Sequence, residues 1–457
     1  MRKKFYVKAI DLLFIAGMVT IFVWGAERQL LLVNTDMQLS DQSAYMNYAS
    51  KLRTTNFQYV GGRNRMPLYP GLMALFYQNG MTDEAFFWLG KQVGIGIALV
   101  ILGLVFLIFQ RYSSRFEALV ATLTTAFTIF AYKAPFFQSD VLFYGITLGL
   151  FVLMLELLRK PHYGLAILAG ALGGLAHLTK ASILPAVALF CGCLLLWAGL
   201  RLVKALRHAP GEPGLTRQHL KANILPPFLC SLLFLGAFLL VIFPYIRTSK
   251  ARFGQYFYNV NSTFYMWYDS WQEAIDGTRA HGDRVGWPDM PADQIPSFSK
   301  YIHEHTPRQI VGRFVKGAIV IIKTVSNSYG YAPFLLLYAS FALLLFLQNI
   351  KRFLAEGRLA RWALRAFFIL AYVSGYFALY AWFTPISSGN RLVLGLFLPV
   401  LFCLLWVIHF AHSQNLGVTL WGQRLSASGM SLVILLALLA YLATTYPYLV
   451  VKIDGGA

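Results

Sequence analysis

Asp41 comes directly after the first apolar stretch, and the loop it opens also carries Arg63-Asn64-Arg65-Met66-Pro67-Leu68-Tyr69-Pro70. A carboxylate within reach of a hydroxyl can take its proton as a general base. Guanidinium and ammonium groups can hold an anion that gains charge as a bond breaks. Further ionisable residues, Lys91, Lys133, Asp140, Lys180, Arg247, Lys250, Arg252 and Arg391, fall at the predicted outer ends of apolar spans, on the same side as Asp36 and Asp41. Charges within a span are costly and mark function, yet almost none lies mid-span here. A secondary transporter should instead place its binding groups near the midplane, on broken helices in paired halves. The distribution favours a site at the outer surface, where a lipid headgroup meets an extracytoplasmic substrate.

Each of these residues also has a plainer reading. Asp41 follows Ser40 at a predicted helix start and is placed to cap that helix; Asp36, nearer the first span, is the alternative base. Lys180, in Ala176-His177-Leu178-Thr179-Lys180, can snorkel to the interface. Arg391 stands alone in a very short loop, where an interfacial anchor is also common. His303-Glu304-His305 places its histidines two apart, which on a helix do not converge, and no Cys or Asp completes a metal set. Asn261-Ser262-Thr263 matches a glycosylation acceptor, a pattern short enough to recur by chance.

The elements that must position these groups are membrane helices. Of 457 residues, 58% are hydrophobic and 13% charged, about half the charged share of a soluble protein, and the mean hydropathy is +0.58. The formal charge of +20 is not spread as on a nucleic-acid-binding surface. Its basic residues gather in short loops at alternate span ends: Arg2, Lys3, Lys4 and Lys8; Arg111 and Arg115; Arg159 and Lys160; Arg201, Lys204, Arg207, Arg217 and Lys221; Lys351, Arg352, Arg358, Arg361 and Arg365. That is the positive-inside asymmetry, which holds loops against anionic lipid headgroups. Cys191, Cys193, Cys230 and Cys403 all lie in apolar runs, so no disulfide framework is implied. The basic N-terminus and its apolar stretch lack a small-x-small cleavage site and read as an uncleaved first span.

Hydropathy predicts an all-α polytopic membrane protein with about eleven spans. They cover residues 9–27, 87–109, 115–132, 140–158, 163–179, 182–203, 223–245, 329–350, 363–383, 392–410 and 429–450. Two long extracytoplasmic loops remain, about 28–86 and 247–328, both of mixed charge and rich in Tyr, Trp and Phe. Tyr45, Met46, Tyr48, Ala49 and Leu52 fall on one helical face; Pro70 to Trp88 and Pro307 to Thr324 offer similar stretches. Such helices would lie flat at the headgroups, the alternative being loops folded over the helix ends. His208-Ala-Pro-Gly-Glu-Pro-Gly-Leu reads as a linker. With no repeat or soluble domain, residues 1–457 form a single membrane domain.

Four segments together resemble the GT-C glycosyltransferases that use polyprenyl-phosphate-linked sugars, the branch of protein O-mannosyltransferases and the aminoarabinose transferase of lipid A. They are Asp41-Gln-Ser-Ala-Tyr45, Arg65-Met-Pro-Leu-Tyr-Pro70, Gln138-Ser-Asp140-Val-Leu-Phe143 and Gly170-Ala-Leu-Gly-Gly-Leu-Ala-His-Leu-Thr-Lys180. Their order and topology match across nearly the whole chain. The resemblance implies an inverting transferase, in the family's manner, that moves a sugar from a polyprenyl-phosphate donor to an extracytoplasmic acceptor hydroxyl. It implies Asp41 as general base, Asp140 as orienting group, and Arg63, Arg65, Lys180 and Arg391 as donor phosphate ligands. Tyr45, Tyr69, Tyr265, Trp267 and Trp271, with Tyr268, would line the substrate loops. The acceptor would be a glycan, lipid or protein, with membrane lipids as the surroundings and no nucleic acid partner. The expected location is a bacterial inner membrane, with the site facing the periplasm. The chain departs from the family in having no Asp-Glu pair at Asp41, no Asp-x-Asp metal motif and no Trp-Trp-Asp-Tyr-Gly; Asn390-Arg391-Leu392 stands where an Arg-Tyr pair is usual. No cofactor is required by this pattern, and a divalent metal stays open. The rivals are an O-antigen polymerase or ligase, which would rely on arginines such as Arg247 or Arg279, and a non-enzymatic lipid flippase or transporter.

Overall fold

A computed structural model describes residues 2–206, 224–328, 332–353 and 358–452. The predicted linker at 208–215 and the first residues of the predicted 329–350 span lie outside the described residues. The principal helices are α1 (Arg2–Leu32), α2 (Gln42–Thr54), α3 (Leu68–Ala74), α4 (Asp83–Phe109), α5 (Arg115–Thr125), α6 (Asp140–Arg159) and α7 (Tyr163–Thr179). They continue with α8 (Leu184–Leu206), α9 (Leu225–Phe253), α10 (Pro307–Ser328), α11 (Ala332–Gln348), α12 (Arg358–Phe383), α13 (Asn390–Ser413) and α14 (Ala427–Lys452).

The protein is an all-α polytopic membrane protein. Among the described residues, eight helices are long and apolar enough to cross a bilayer: α1, α4, α6, α8, α9, α12, α13 and α14. The remaining three predicted spans also fall on helical segments, but each is short or broken. At about 1.5 Å per residue, the 17 residues of α7 reach about 25 Å, less than the roughly 30 Å of hydrocarbon. The 17-residue α11 is equally short. The 115–132 span starts as α5 and then passes through a π-helical turn at Ala126–Phe130. Thr122 and Thr125 donate to the carbonyls of Ala118 and Ala121 just before it, a bond that competes with the helix ladder and bends it.

The short α7 is held by its glycines. A Cβ built on Gly170 would lie 2.1 Å from the Phe234 carbonyl oxygen, and one on Gly174 would lie 2.6 Å from Val241 Cβ. Only glycine lets the backbones of α7 and α9 approach this closely, as small residues do between membrane helices. Part of the Gly170-to-Lys180 motif is therefore a packing face, and it sets where α7 ends.

The predicted amphipathic helix after Asp41 is present as α2, with Tyr45, Met46, Tyr48, Ala49 and Leu52 buried. That face packs on Tyr69, Met73, Phe86, Phe87 and Phe137, so α2 is folded onto the helix ends and has no free apolar face to lay on lipid. The stretch from Pro70 to Trp88 is not one helix. α3 stops at Ala74, and Thr82 then caps α4 by accepting from the Ala85 amide. In contrast, α10 buries Arg313, Gly317 and Ile321 while Val311, Val315, Ile319 and Ile322 stay exposed. That is the three-sided pattern of a helix at an interface. A two-stranded hairpin, Gly417–Leu420 with Gln423–Ser426, joins α13 to α14.

Candidate active site

Asp41 occupies the cap position of α2, but its side chain makes no capping bond. Its carboxylate instead faces two arginines, Oδ1 meeting Arg65 and Oδ2 accepting from Arg391 Nη1 at 2.9 Å. The segment before it is braced from below. Gln42 Oε1 accepts from Asn34 Nδ2 and the Phe137 amide, both at 2.8 Å, and Gln42 Nε2 donates to Asn34 Oδ1 at 2.8 Å. Buried Lys91 donates to the carbonyls of Asn34 and Leu30 at 2.7 and 3.2 Å, with the Trp88 ring 3.6 Å from its ammonium. A cation on the last carbonyls of a helix opposes the negative end of its dipole. Asp41 is thus fixed by a polar strut, not by its helix.

The second carboxylate, Asp140, opens α6 and is buried against the Lys180 ammonium. Lys180 follows α7 in an extended conformation (φ −150°, ψ 130°), which releases its stem from the helix. Tyr45, whose hydroxyl lies 3.0 Å from Ser139 Oγ, joins α2 to the residue before Asp140, and the Arg65 guanidinium sits 5.6 Å from the Tyr45 ring. Arg391 is steadied by Ser387 Oγ at 3.2 Å and through its carbonyl by the Tyr144 hydroxyl at 2.7 Å. Arg391 and Lys133 also act electrostatically on Asp140. The cluster therefore counts four cations (Arg65, Lys133, Lys180 and Arg391) against two carboxylates. It remains reachable, with the Asp41 and Arg391 side chains 33% and 32% exposed.

Burial works to raise the Asp41 carboxyl, but the charges and hydrogen bonds of Arg65 and Arg391 outweigh it and hold the group below the usual carboxylate range. Asp41 is therefore ionised at neutral pH, and a poor proton acceptor while both arginines face it. Burial pushes the Tyr45 phenol up to about 12, so it keeps its proton.

The structure gathers Asp41, Asp140, Arg65, Lys180 and Arg391, and does not bring Arg63 to them. Arg63 is buried and donates from Nε to Ser249 Oγ at 2.9 Å and from Nη2 to Thr248 Oγ1 and the Tyr245 carbonyl at 2.6 and 3.2 Å. It ties the loop to α9 and, among the described residues, makes no ion pair with a carboxylate. Asp36 accepts from the Gln38 amide at 2.7 Å, a local loop turn. Tyr69 packs edge-on against Tyr45 at 5.5 Å, beneath the site. Tyr265 and Trp267 belong to the interior of the second long loop: Tyr265 meets Asp283 Oδ1 at 3.4 Å, and Trp267 packs on Phe298 at 5.5 Å. Trp271, 38% exposed, leans on Tyr265 at 5.5 Å. His303 Nδ1 faces the Ser299 carbonyl and His305 Nε2 faces Asp269. Among the described residues no three His, Cys, Asp or Glu side chains converge as metal ligands.

Sequence reasoning missed how the second loop grips the Arg63–Asn64 segment on one side and the end of α12 on the other. The Val260 amide donates to the Arg63 carbonyl at 3.2 Å and Asn261 Nδ2 to the Asn64 carbonyl at 3.3 Å. At the other side, the Met266 carbonyl accepts from Trp382 Nε1 at 2.9 Å and from Arg313 Nη2 at 3.1 Å. Asp269 collects Arg313 Nη1, the Tyr301 hydroxyl and His305 Nε2 at 2.9, 2.8 and 2.8 Å. No local spacing announces this latch, because its members come from three separate segments.

No family model matches the chain, and no curated protein matches it. Among solved structures, it is similar over 95% of its length to the Archaeoglobus fulgidus oligosaccharyltransferase tethered by a disulfide to an acceptor peptide containing the NVT sequon, at 13% identity and a TM-score of 0.45. The chain spans about half the length of that protein, 54%.

Proposed function

We propose that the protein transfers a sugar from a polyprenyl-phosphate donor to an acceptor hydroxyl, with Asp41 as the general base. The observation that carries this reading is the cationic surplus around Asp41 and Asp140. A phosphodiester donor brings one negative charge, and the polyprenyl phosphate that leaves carries close to two; four cations facing two carboxylates suit that product. In the reaction the acceptor oxygen attacks the anomeric carbon, the bond from that carbon to the phosphate oxygen breaks with its electron pair, and the hydroxyl proton passes to Asp41. A direct displacement of this kind inverts the anomeric centre. Asp140 keeps Lys180 in place.

The paired arginines give the base its timing. With the site empty they neutralise Asp41; a donor phosphate that draws Arg65 or Arg391 away would raise its proton affinity as the substrate arrives. The clustering of charge at helix ends, away from the bilayer midplane, favours this chemistry over transport.

The test supplies the purified full chain with radiolabelled polyprenyl-phosphate sugars and candidate acceptors. Labelled acceptor together with free polyprenyl phosphate is the expected product. Polymerisation from a pyrophosphate-linked oligosaccharide would favour a polymerase or ligase. Lipid movement across vesicles without covalent transfer would favour a flippase.

A further inference from the structure

At the opposite end of α6 from Asp140, a cavity of about 220 Å³ opens between α6, α12 and α13. Its walls are apolar and aromatic, with Phe402, Trp406 and Ile369 among them, and its polar groups are Tyr112, Glu156 and Arg365. The Trp362 and Trp406 rings stand 4.1 Å apart, and the Arg365 guanidinium lies 4.6 and 5.7 Å from them. We propose that this cavity holds an acyl chain of an anionic phospholipid, whose phosphate is met by Arg365 and the basic residues around the mouth.

Three observations select that occupant. First, the mouth faces lipid: Ala363 and Ala366 line it while being exposed, and Phe367 and Leu370 on the same helix are 52% and 69% exposed. A molecule already in the bilayer enters from the side, and a water-borne one does not. Second, the polar end carries Arg365, and further basic residues lie close to it in sequence. Glu156 accepts from the Tyr112 hydroxyl at 2.9 Å and pairs with Arg159 at 3.0 Å, so its charge is met. Arg111 precedes the lining Tyr112, and Lys351 and Arg352 precede the lining Phe353. Basic pockets between membrane helices recognise anionic headgroups in this way. Third, an apolar lining with a few polar groups at one end matches an amphiphile and leaves a free phosphate no reason to enter. The site is independent of the chemistry at Asp41.

The test is native mass spectrometry of the full chain titrated with phosphatidylglycerol or phosphatidylcholine. One phosphatidylglycerol adduct should be retained about fivefold more than phosphatidylcholine, and Arg365→Gln should lower that retention about fivefold, the weight of one basic residue at a membrane surface. Ala366→Phe, which fills the mouth and leaves every charge in place, should lower retention of both lipids. With folded wild-type protein, brominated-acyl phosphatidylglycerol should quench tryptophan emission, and Trp362→Phe/Trp406→Phe should remove the share of that quenching due to these two rings. Equal retention of the two lipids, or an adduct unchanged in both single variants, would overturn the proposal. Fractional quenching unchanged by the double replacement would do the same.

Discussion

Arg391 Nη1 stands 2.9 Å from Asp41 Oδ2 across 350 residues of sequence. The first residues after α1 and the first turn of α13 thus share one ion pair, with Arg65 completing it on the other oxygen. The bond is partly exposed, so its static contribution to stability is small. Its place beside the Asp140–Lys180 pair is what the proposed chemistry draws on.

Arg391→Gln should leave the fold intact and lower turnover. Removing one positioned donor from a developing anion costs about 10²- to 10³-fold in rate. The loss should appear in kcat, measured with donor saturating, while the melting temperature moves little.

Arg63 should behave in the opposite way. Arg63→Met removes bonds from a buried guanidinium to Ser249, Thr248 and the Tyr245 carbonyl, at a cost of about 2–3 kcal/mol. Thermal unfolding should show that loss, and turnover per folded molecule should stay near wild type. A large rate defect with unchanged stability would return Arg63 to the phosphate site.

Gly174→Leu should separate α7 from α9, because even a Cβ there lies 2.6 Å from Val241 Cβ. Overpacking of this kind costs about 1–3 kcal/mol or more. Lys180 sits at the end of the displaced helix, so activity should fall along with the melting temperature.

The Asp269 latch should depend on pH. Burial works against a charged His305, but the Asp269 carboxylate and the Tyr301 carbonyl outweigh it and raise the imidazole above 6.5. A raised histidine contributes fully below its unfolded value and loses that contribution as pH rises through the folded value. Protection of the amides in residues 298–306, corrected for the intrinsic rise of exchange with pH, should therefore fall as pH climbs above about 6.5. His305→Gln should flatten the response, and the separate Arg313–Asp269 contact should keep the latch from opening fully.

Much of this was legible in the sequence, for reasons that particular residues make clear. Apolar runs placed the predicted spans on helix wherever the chain is described, because bilayer thickness forces length. The face Tyr45, Met46, Tyr48, Ala49 and Leu52 gave α2, because helical period is local. What the pattern could not tell was which partner would cover that face, and it packs on Phe86 and Phe137. Arg63 and Arg65 are the same residue type two positions apart. Arg63 has φ +52°, an uncommon left-handed conformation for a residue with a side chain; Gly61-Gly62 marks a turn there but does not tell that Arg63 takes the strained position. The loop aromatics were visible as a composition, but whether Tyr265 faced substrate or Asp283 depended on contacts between distant segments. The hairpin at 417–426 was missed because Trp421-Gly422 is not one of the dipeptides that announce a two-residue turn.

The most direct measurement compares sugar transfer by wild-type protein and Asp41→Asn, each shown folded by its melting temperature, with a polyprenyl-phosphate sugar as donor. Should a carboxylate at the helix rim deprotonate the incoming alcohol, the amide form must lose about 10²- to 10⁴-fold in kcat/KM while still binding donor. Full transfer by the folded amide variant would contradict the account.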